Sequence, residues 1–318
     1  MPPKIRIVKD IDECAFLWQK YYPVESLFDI WWVRETFAKI YMRDNCFIVH
    51  EENGRLNGLL PLCKIVEPIN TFVFFPGEIW HNRTWMEQNK IIAENSDVMR
   101  EMLLTLCSFQ NSADIRYLCK TSLDNIPSEF SLNNTVDETG YLFYPKNHEY
   151  NYEKYLGTFA GKSRKKILSE VTAIEKQGIS FRYNDLDDID TMFRLNISNF
   201  GEHGYFHDPK FLQSFIELVS NLHKNGMLRV VTVLINNEIA AVDMGAIWNN
   251  TCIMLAGGTN KNFLGIAKLI NLHHLKWACS EKIEYIDFLC GDFGWKERFH
   301  LTPRTLYQIV LKQSATIG

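Results

Sequence analysis

The stretch that decides the fold is "MLRVVTVLINNEIAAVDMGAIWNNTCIMLAGGTNKNFLGIAKLI", residues 227–270. Three apolar runs, "MLRVVTVLI", "IAAVDMGAIW" and "TCIMLAG", are separated by Asn236-Asn237 and Asn249-Asn250. Two-residue Asn turns suit tight hairpins, so the pattern predicts a three-stranded antiparallel meander. After Gly257 and Gly258 the spacing changes. Ile266, Leu269, Ile270, His273 and Trp277 fall on one stripe and predict a helix over 265–279. A strand that passes through a glycine-containing loop into a helix start can aim backbone N–H groups at a phosphate or pyrophosphate. Neither the Walker pattern nor G-x-G-x-x-G is present.

Working outward, "DPKFLQSFIELVSNLHKNG" upstream reads as a helix. Asp208 is placed to cap it, Pro209 to open it and Gly226 to end it, with Phe211, Phe215, Leu218 and Leu222 on one face. Downstream, "IEYIDFLCG" and "TLYQIVLKQ" read as strands. The first half has the same order: "SLFDIWWVRETFAKIY" as helix, a hairpin around Asn53-Gly54, "TFVFFPG" as strand, "DVMREMLLTLCSF" as helix and "IRYLCK" as strand. Self-similarity of this kind predicts two copies of one α/β unit. The expected division is 1–145 and 146–318, joined in the Asn-rich region from Thr121 to Asn151. Just after it, "FAGKSRKKILSEVTAIEKQG" is predicted helical, with Lys162, Arg164, Lys165 and Lys166 in its first turn. Cations there oppose the helix dipole, and an anionic ligand would resolve the conflict.

At 318 residues the chain is long enough for two domains, and 46% hydrophobic with 23% charged residues is an ordinary globular balance. The net charge of -4 leaves no basic surface for non-specific nucleic-acid binding, so an anionic partner must meet a local cluster. The start "MPPKIRIVKDIDE" is too polar for a signal peptide, and no apolar run is long enough for a membrane span. A cytoplasmic location is therefore expected. The eight cysteines lack paired C-x-x-C spacing and read as buried free thiols rather than a zinc or disulfide framework.

Within the loop, "NFLGIA" at 262–267 resembles the Q/R-x-x-G-x-G/A pyrophosphate loop of the GNAT acyltransferase superfamily, with Asn262 in place of Gln or Arg. "GDFGWKERF" from Gly291 to Phe299, followed by Pro303-Arg304-Thr305-Leu306-Tyr307, looks like the G-D-x-x-Y-K-x-x-[WF] motif of the CelD/BcsL-type, FemAB-like branch. The basic helix, the hairpin from Gly54 to Leu62 and Asn237-Glu238-Ile239-Ala240-Ala241 are similar too, so the resemblance covers roughly 25–310. It implies an α/β fold of two tandem GNAT-like domains, each with a mixed, mostly antiparallel sheet flanked by helices. It also implies transfer of an acyl group from acyl-CoA to an amine of a small molecule, sugar nucleotide or polysaccharide precursor of the cell envelope, without a metal. The rivals are FemAB-like transfer from aminoacyl-tRNA to a peptidoglycan precursor, and a catalytically silent scaffold. Trp295 stands where the branch carries Tyr, and indole N–H can only donate.

Acyl transfer to an amine needs a base and a donor for the developing oxyanion. Asp292 is the expected base, with Lys296 four residues on as the cation. Asp243 interrupts an apolar strand and is the second carboxylate, its rival reading being a water-facing position. Asp287 is similarly placed. Asn262, Gly265, Ala267 and Lys268 are expected at the acyl-CoA, and Arg164, Lys165, Glu202, His203 and Trp295 at the acceptor. His273 and His274 read as packing residues. The first half has no counterpart of Gly-Asp-x-x-x-Lys, which assigns donor binding and catalysis to the second.

Overall fold

The computed structural model describes residues 4–66, 71–77, 85–109, 112–131, 134–291 and 294–312. The chain forms two compact units, residues 1–139 with 305–318, and residues 140–304.

Unit 1 begins with β1 (Lys4–Val8), α1 (Ile11–Tyr21) and α2 (Trp31–Tyr41), then β2 (Asp44–Asn45), β3 (Phe47–Glu52) and β4 (Arg55–Leu60). It continues through β5 (Cys63–Val66), β6 (Thr71–Phe74), β7 (Ile92–Ala93), α3 (Ser96–Phe109), β8 (Ser112–Leu118) and α4 (Ser128–Ser131). Its main sheet has the order β1-β3-β4-β7, and β2-β5-β6 form a small second sheet. Trp18, Trp31, Phe47 and Val49 fill one core, and Ile48, Leu60, Met102 and Ile115 another.

β9 (Asn134–Phe143) leads into unit 2, followed by α5 (Tyr152–Leu156), α6 (Gly161–Glu175), β10 (Ile179–Tyr183), α7 (Asp188–Phe200) and α8 (Pro209–Lys224). Next come β11 (Leu228–Ile235), β12 (Glu238–Trp248), β13 (Thr251–Thr259), α9 (Ile266–Ser280), β14 (Ile286–Asp287) and β15 (Thr302–Lys312). The sheet order within unit 2 is β10-β11-β12-β13-β14, and Leu142 and Phe143 of β9 pair with β14. The sequence β-α-α-β-β-β-α-β occurs in both units when β1, β3, β4, β7 and β8 are set beside β10 to β14. The duplication is thus fuller than the sequence reading, which passed over β1, α1, β10 and α7.

The last strand departs from the expected division. Residues 305–312 of β15 belong to unit 1, where Tyr307 lies opposite Leu118 and Ile309 opposite Ile115 of β8.

Local sequence explains the elements that carry the site. Asn236 and Asn237 have φ of 51° and 66°, and Asn249 and Asn250 of 48° and 60°, the left-handed pairs that match the twist of a two-residue hairpin. Asp208 Oδ1 accepts from Lys210 N–H at 2.8 Å and Pro209 opens α8, whose apolar face is fully buried. Ile266, Leu269 and Ile270 of α9 pack on Val231, Val233 and Ile174, each such side chain contributing about 1.5–3 kcal/mol. Cys14, Cys46, Cys63, Cys252 and Cys279 are buried, and Cys107, Cys119 and Cys290 half-buried. Burial pushes the thiols of Cys14, Cys46 and Cys252 up to about 12. Among the described residues no helix is long and apolar enough to cross a membrane, and no cluster of His, Cys, Asp and Glu could hold a metal ion.

Candidate active site

β13 and β14 run parallel but pair only at Cys252–Ile286 and Ile253–Asp287. β13 then continues to Thr259, while β14 ends at Asp287 and Phe288 N–H still reaches β9, at Tyr141 O. The register between β12 and β13 slips after Met244–Ala256, so that Leu255 is an extra residue next to the Gly245–Met254 pair. A bulge bends its strand, and here it does so where the partner strand ends. The pairing of the two parallel strands thus ends toward their carboxyl ends, a common ligand position in α/β sheets.

The loop from Asn260 to Gly265 lies at that end. Asn260 organises it, accepting from Asn262 N–H at 3.0 Å with its side chain and from Phe263 N–H at 3.1 Å with its carbonyl. Gly265 caps α9 at φ 82°, a conformation costly for any residue with a Cβ. A Cβ there would also stand 3.0 Å from Ile174 Cδ1. Asn262, Gly265 and Ala267 are exposed, and Lys268 is ion-paired with Glu170 of α6.

The segment after β14 is held down at several points. Asp287 is fully buried, bonded by Arg304 and accepting from Leu289 N–H at 2.8 Å. Leu289 has φ 58° and Gly291 φ 94°, so the backbone turns sharply here. Lys296, 3% exposed, donates to Leu289 O at 2.7 Å and Cys290 O at 2.9 Å. Its ammonium therefore closes the turn that leads into Gly291. Trp295 is half-buried, edge-on to Phe288 and to Phe299. Asp292, the expected base, lies outside the described residues.

Asp243 faces α9. Its Oδ2 lies 3.1 Å from His274 Nε2, and His274 Nδ1 lies 2.9 Å from Arg229 Nη1. Guanidinium only donates, so Nδ1 accepts and Nε2–H donates to the carboxylate. The buried imidazole is thereby fixed as the neutral Nε2–H tautomer, a polar link between a cation and an anion. Burial pushes its pKa down, helped by Arg229 and opposed by Asp243. Gly257, opposite Asp243 across the strands, makes room for this carboxylate, since a Cβ there would meet Oδ1 at 2.1 Å. Asp243 is thus committed to the interior rather than to open water. His274 and Arg229 escaped the sequence reading as polar partners, although a lone arginine in the apolar run "MLRVVTVLI" was an available signal.

His273 stacks on Phe181 with ring centroids 4.0 Å apart. Burial, then His274, Arg229 and Lys276, push its pKa down to about 4. An unfolded histidine titrates near 6.5. Between those values the unfolded chain binds more protons than the folded one, so stability is full above about 6.5 and falls as pH drops toward 4. We expect melting temperatures taken across that window to fall less steeply for His273→Phe than for the parent chain. Equal slopes would remove His273 from the explanation.

Residues 161–297 match the family described as acetyltransferase (GNAT) domain. The chain carries a GNAT acyltransferase domain. Among solved structures, FemX superposes with a TM-score of 0.60 at 10% identity, over 97% of this chain and 98% of that one. L-PGS from Bacillus licheniformis gives 0.56 at 11%, over 97% and 94%. A tandem GNAT protein from the clavulanic acid biosynthesis pathway gives 0.54 at 8%, over 99% of both chains. The fold is that of two tandem GNAT-like domains. No curated protein matches by sequence.

The other expected site residues of the GNAT domain are spread over its surface. Arg164 pairs with Glu153 at 3.0 Å, and Lys165 is exposed. Both line a shallow groove of about 700 Å³ along α6. The first turn of that helix holds no acidic residue. Glu202 and His203 sit in an exposed one-turn helix, Gly201–His203, between α7 and α8.

Proposed function

We propose that this protein moves an acyl group from acyl-CoA, acetyl or longer, onto an amine of a small molecule, sugar nucleotide or envelope-polysaccharide precursor, in the cytoplasm. The observation that carries the reading is the parting of β13 from β14 with a glycine-capped helix start at the same end. Asn262, Gly265, Ala267 and Lys268 would receive the pyrophosphate there. Backbone N–H groups at the start of a 15-residue helix favour an anion, and the exposed loop leaves room for one. The bound thioester supplies the activated acyl group. Asp292 takes the proton from the amine. Lys296 is a positioning residue, fixing the turn that leads into Gly291. Trp295 offers an N–H but no acid, and Asp243 holds the β12–α9 contact beside β13. Arg164, Lys165, Glu202 and His203 meet the acceptor.

A thermal-shift series with acetyl-CoA, longer acyl-CoAs and sugar nucleotides tests this. A ligand at about 100 times its Kd adds about 2.7 kcal/mol of stability and raises the melting temperature. Gly265→Ala is expected to remove that shift and to lower the stability of the free protein by about 1–2 kcal/mol. If no acyl-CoA moves the melting temperature, the reading falls. The four cations opening α6 then favour the second reading, an aminoacyl-tRNA donor, whose binding would weaken steeply with salt.

A further inference from the structure

At the far end of α9 from Gly265, unit 2 has a cavity of about 710 Å³ that the acyl-transfer reading does not use. The end of β10, the start of β11, Ile247 of β12 and the last turns of α9 border it, and its volume is that of a small-molecule site. Its chemistry is one-sided. Arg229 and Lys276 line it, and no carboxylate does. Arg229 is only 6% exposed, and its guanidinium lies 3.8 Å from the centroid of the Trp277 ring. Its Nη1 meets the neutral His274, while Nη2, behind the wall, has no hydrogen-bond partner among the described residues. Arg229 is thus left with little direct compensation for its charge. The same cations help to keep His273, on the rim, uncharged.

Beside the cations the lining is aromatic. Phe181, His273 and Tyr183 stack in turn, His273 lying 4.0 Å from Phe181 and 5.9 Å from Tyr183. Tyr183 remains 52% exposed. Exposed rings beside a cavity offer a flat ligand a stacking surface, and the cations next to them attract a negative group.

We infer that this cavity is a second ligand site and that it takes a flat aromatic carboxylate. The ring lies on Tyr183 and His273, and the carboxylate points to Lys276 and the charge of Arg229. The ligand needs both features, because the lining supplies a partner for each.

Calorimetric titration of the full-length chain with benzoate tests this, with benzyl alcohol and acetate as probes lacking the charge and the ring. Benzoate is expected to bind at least about tenfold more tightly than either. Lys276→Glu and Tyr183→Ala, both at exposed positions, should each weaken benzoate about tenfold or more while the melting temperature stays near that of the parent. Absence of benzoate heat up to about 10 mM overturns the inference. So does equal binding by the parent and both variants, which would mean an adventitious additive only. Both outcomes are independent of whether acyl-CoA binds.

Discussion

Asp287→Ala is expected to lower the unfolding free energy by about 3–5 kcal/mol, because it breaks a buried ion pair and leaves the cation behind. Asp287 has no exposure and Arg304 little, and Asp287 also takes the N–H of Leu289. The surroundings are tight, since a Cβ on Gly140 would approach Arg304 Nη2 to 2.7 Å. Urea unfolding of the purified variant measures the loss. Asp287→Leu combined with Arg304→Met should recover most of it, as apolar pairs of similar volume often replace buried ion pairs without net cost. A double variant no more stable than Asp287→Ala would show that the site needs the charges themselves.

The second large effect is on turnover. Asp292→Asn should lower kcat by about 10²–10⁴ with an acyl-CoA and a competent amine, and leave the melting temperature near that of the parent. Lys296→Ala should lower both, since Leu289 and Cys290 carbonyls lose the ammonium that bonds them. The two variants thus separate chemistry from positioning. Full turnover by Asp292→Asn would remove it as the base. An unaltered melting temperature in Lys296→Ala would contradict its place in the turn.

Much of the fold was legible because local chemistry and tertiary structure agree. The Asn-Asn turns, the Asp208–Pro209 helix start and the glycine before α9 each state a backbone conformation in the residues themselves. Other elements give weaker local signals. α7, "DIDTMFRLNISNF", mixes polar residues into its faces, and what fixes it is long-range: Gly258 lets Met192 and Leu195 come close to β13. β14 shrank to two residues because Leu289 and Gly291 turn the chain out of the sheet, which no apolar pattern from Ile283 to Cys290 announces.

The candidate site was legible in part. The family motif joined Gly291 to Arg304 along the sequence, and the Asp287–Arg304 pair ties the second of its pieces to the strand that precedes the first. Both histidines read as packing residues, and both pack, but to different depths. His273 was set on the apolar stripe, yet His274, one residue and about 100° further round the helix, is the fully buried one. It tolerates that position because Arg229 and Asp243 satisfy its two nitrogens, and those partners lie on separate strands that only the folded sheet brings together.

The strand pairing of β15 with β8 sets an order on synthesis. Residues 140–304 have all been synthesised before Thr305, whereas the unit that holds β1 to β8 gains β15 only after them. Domains usually fold as they emerge, N-terminal first. Here the unit begun first is the one completed last, and during that interval the core around Ile115 lacks Ile309 and Leu311. A chain that stops before β15 would leave that apolar surface uncovered, which gives residues 305–312 a protective role beyond their contribution to stability.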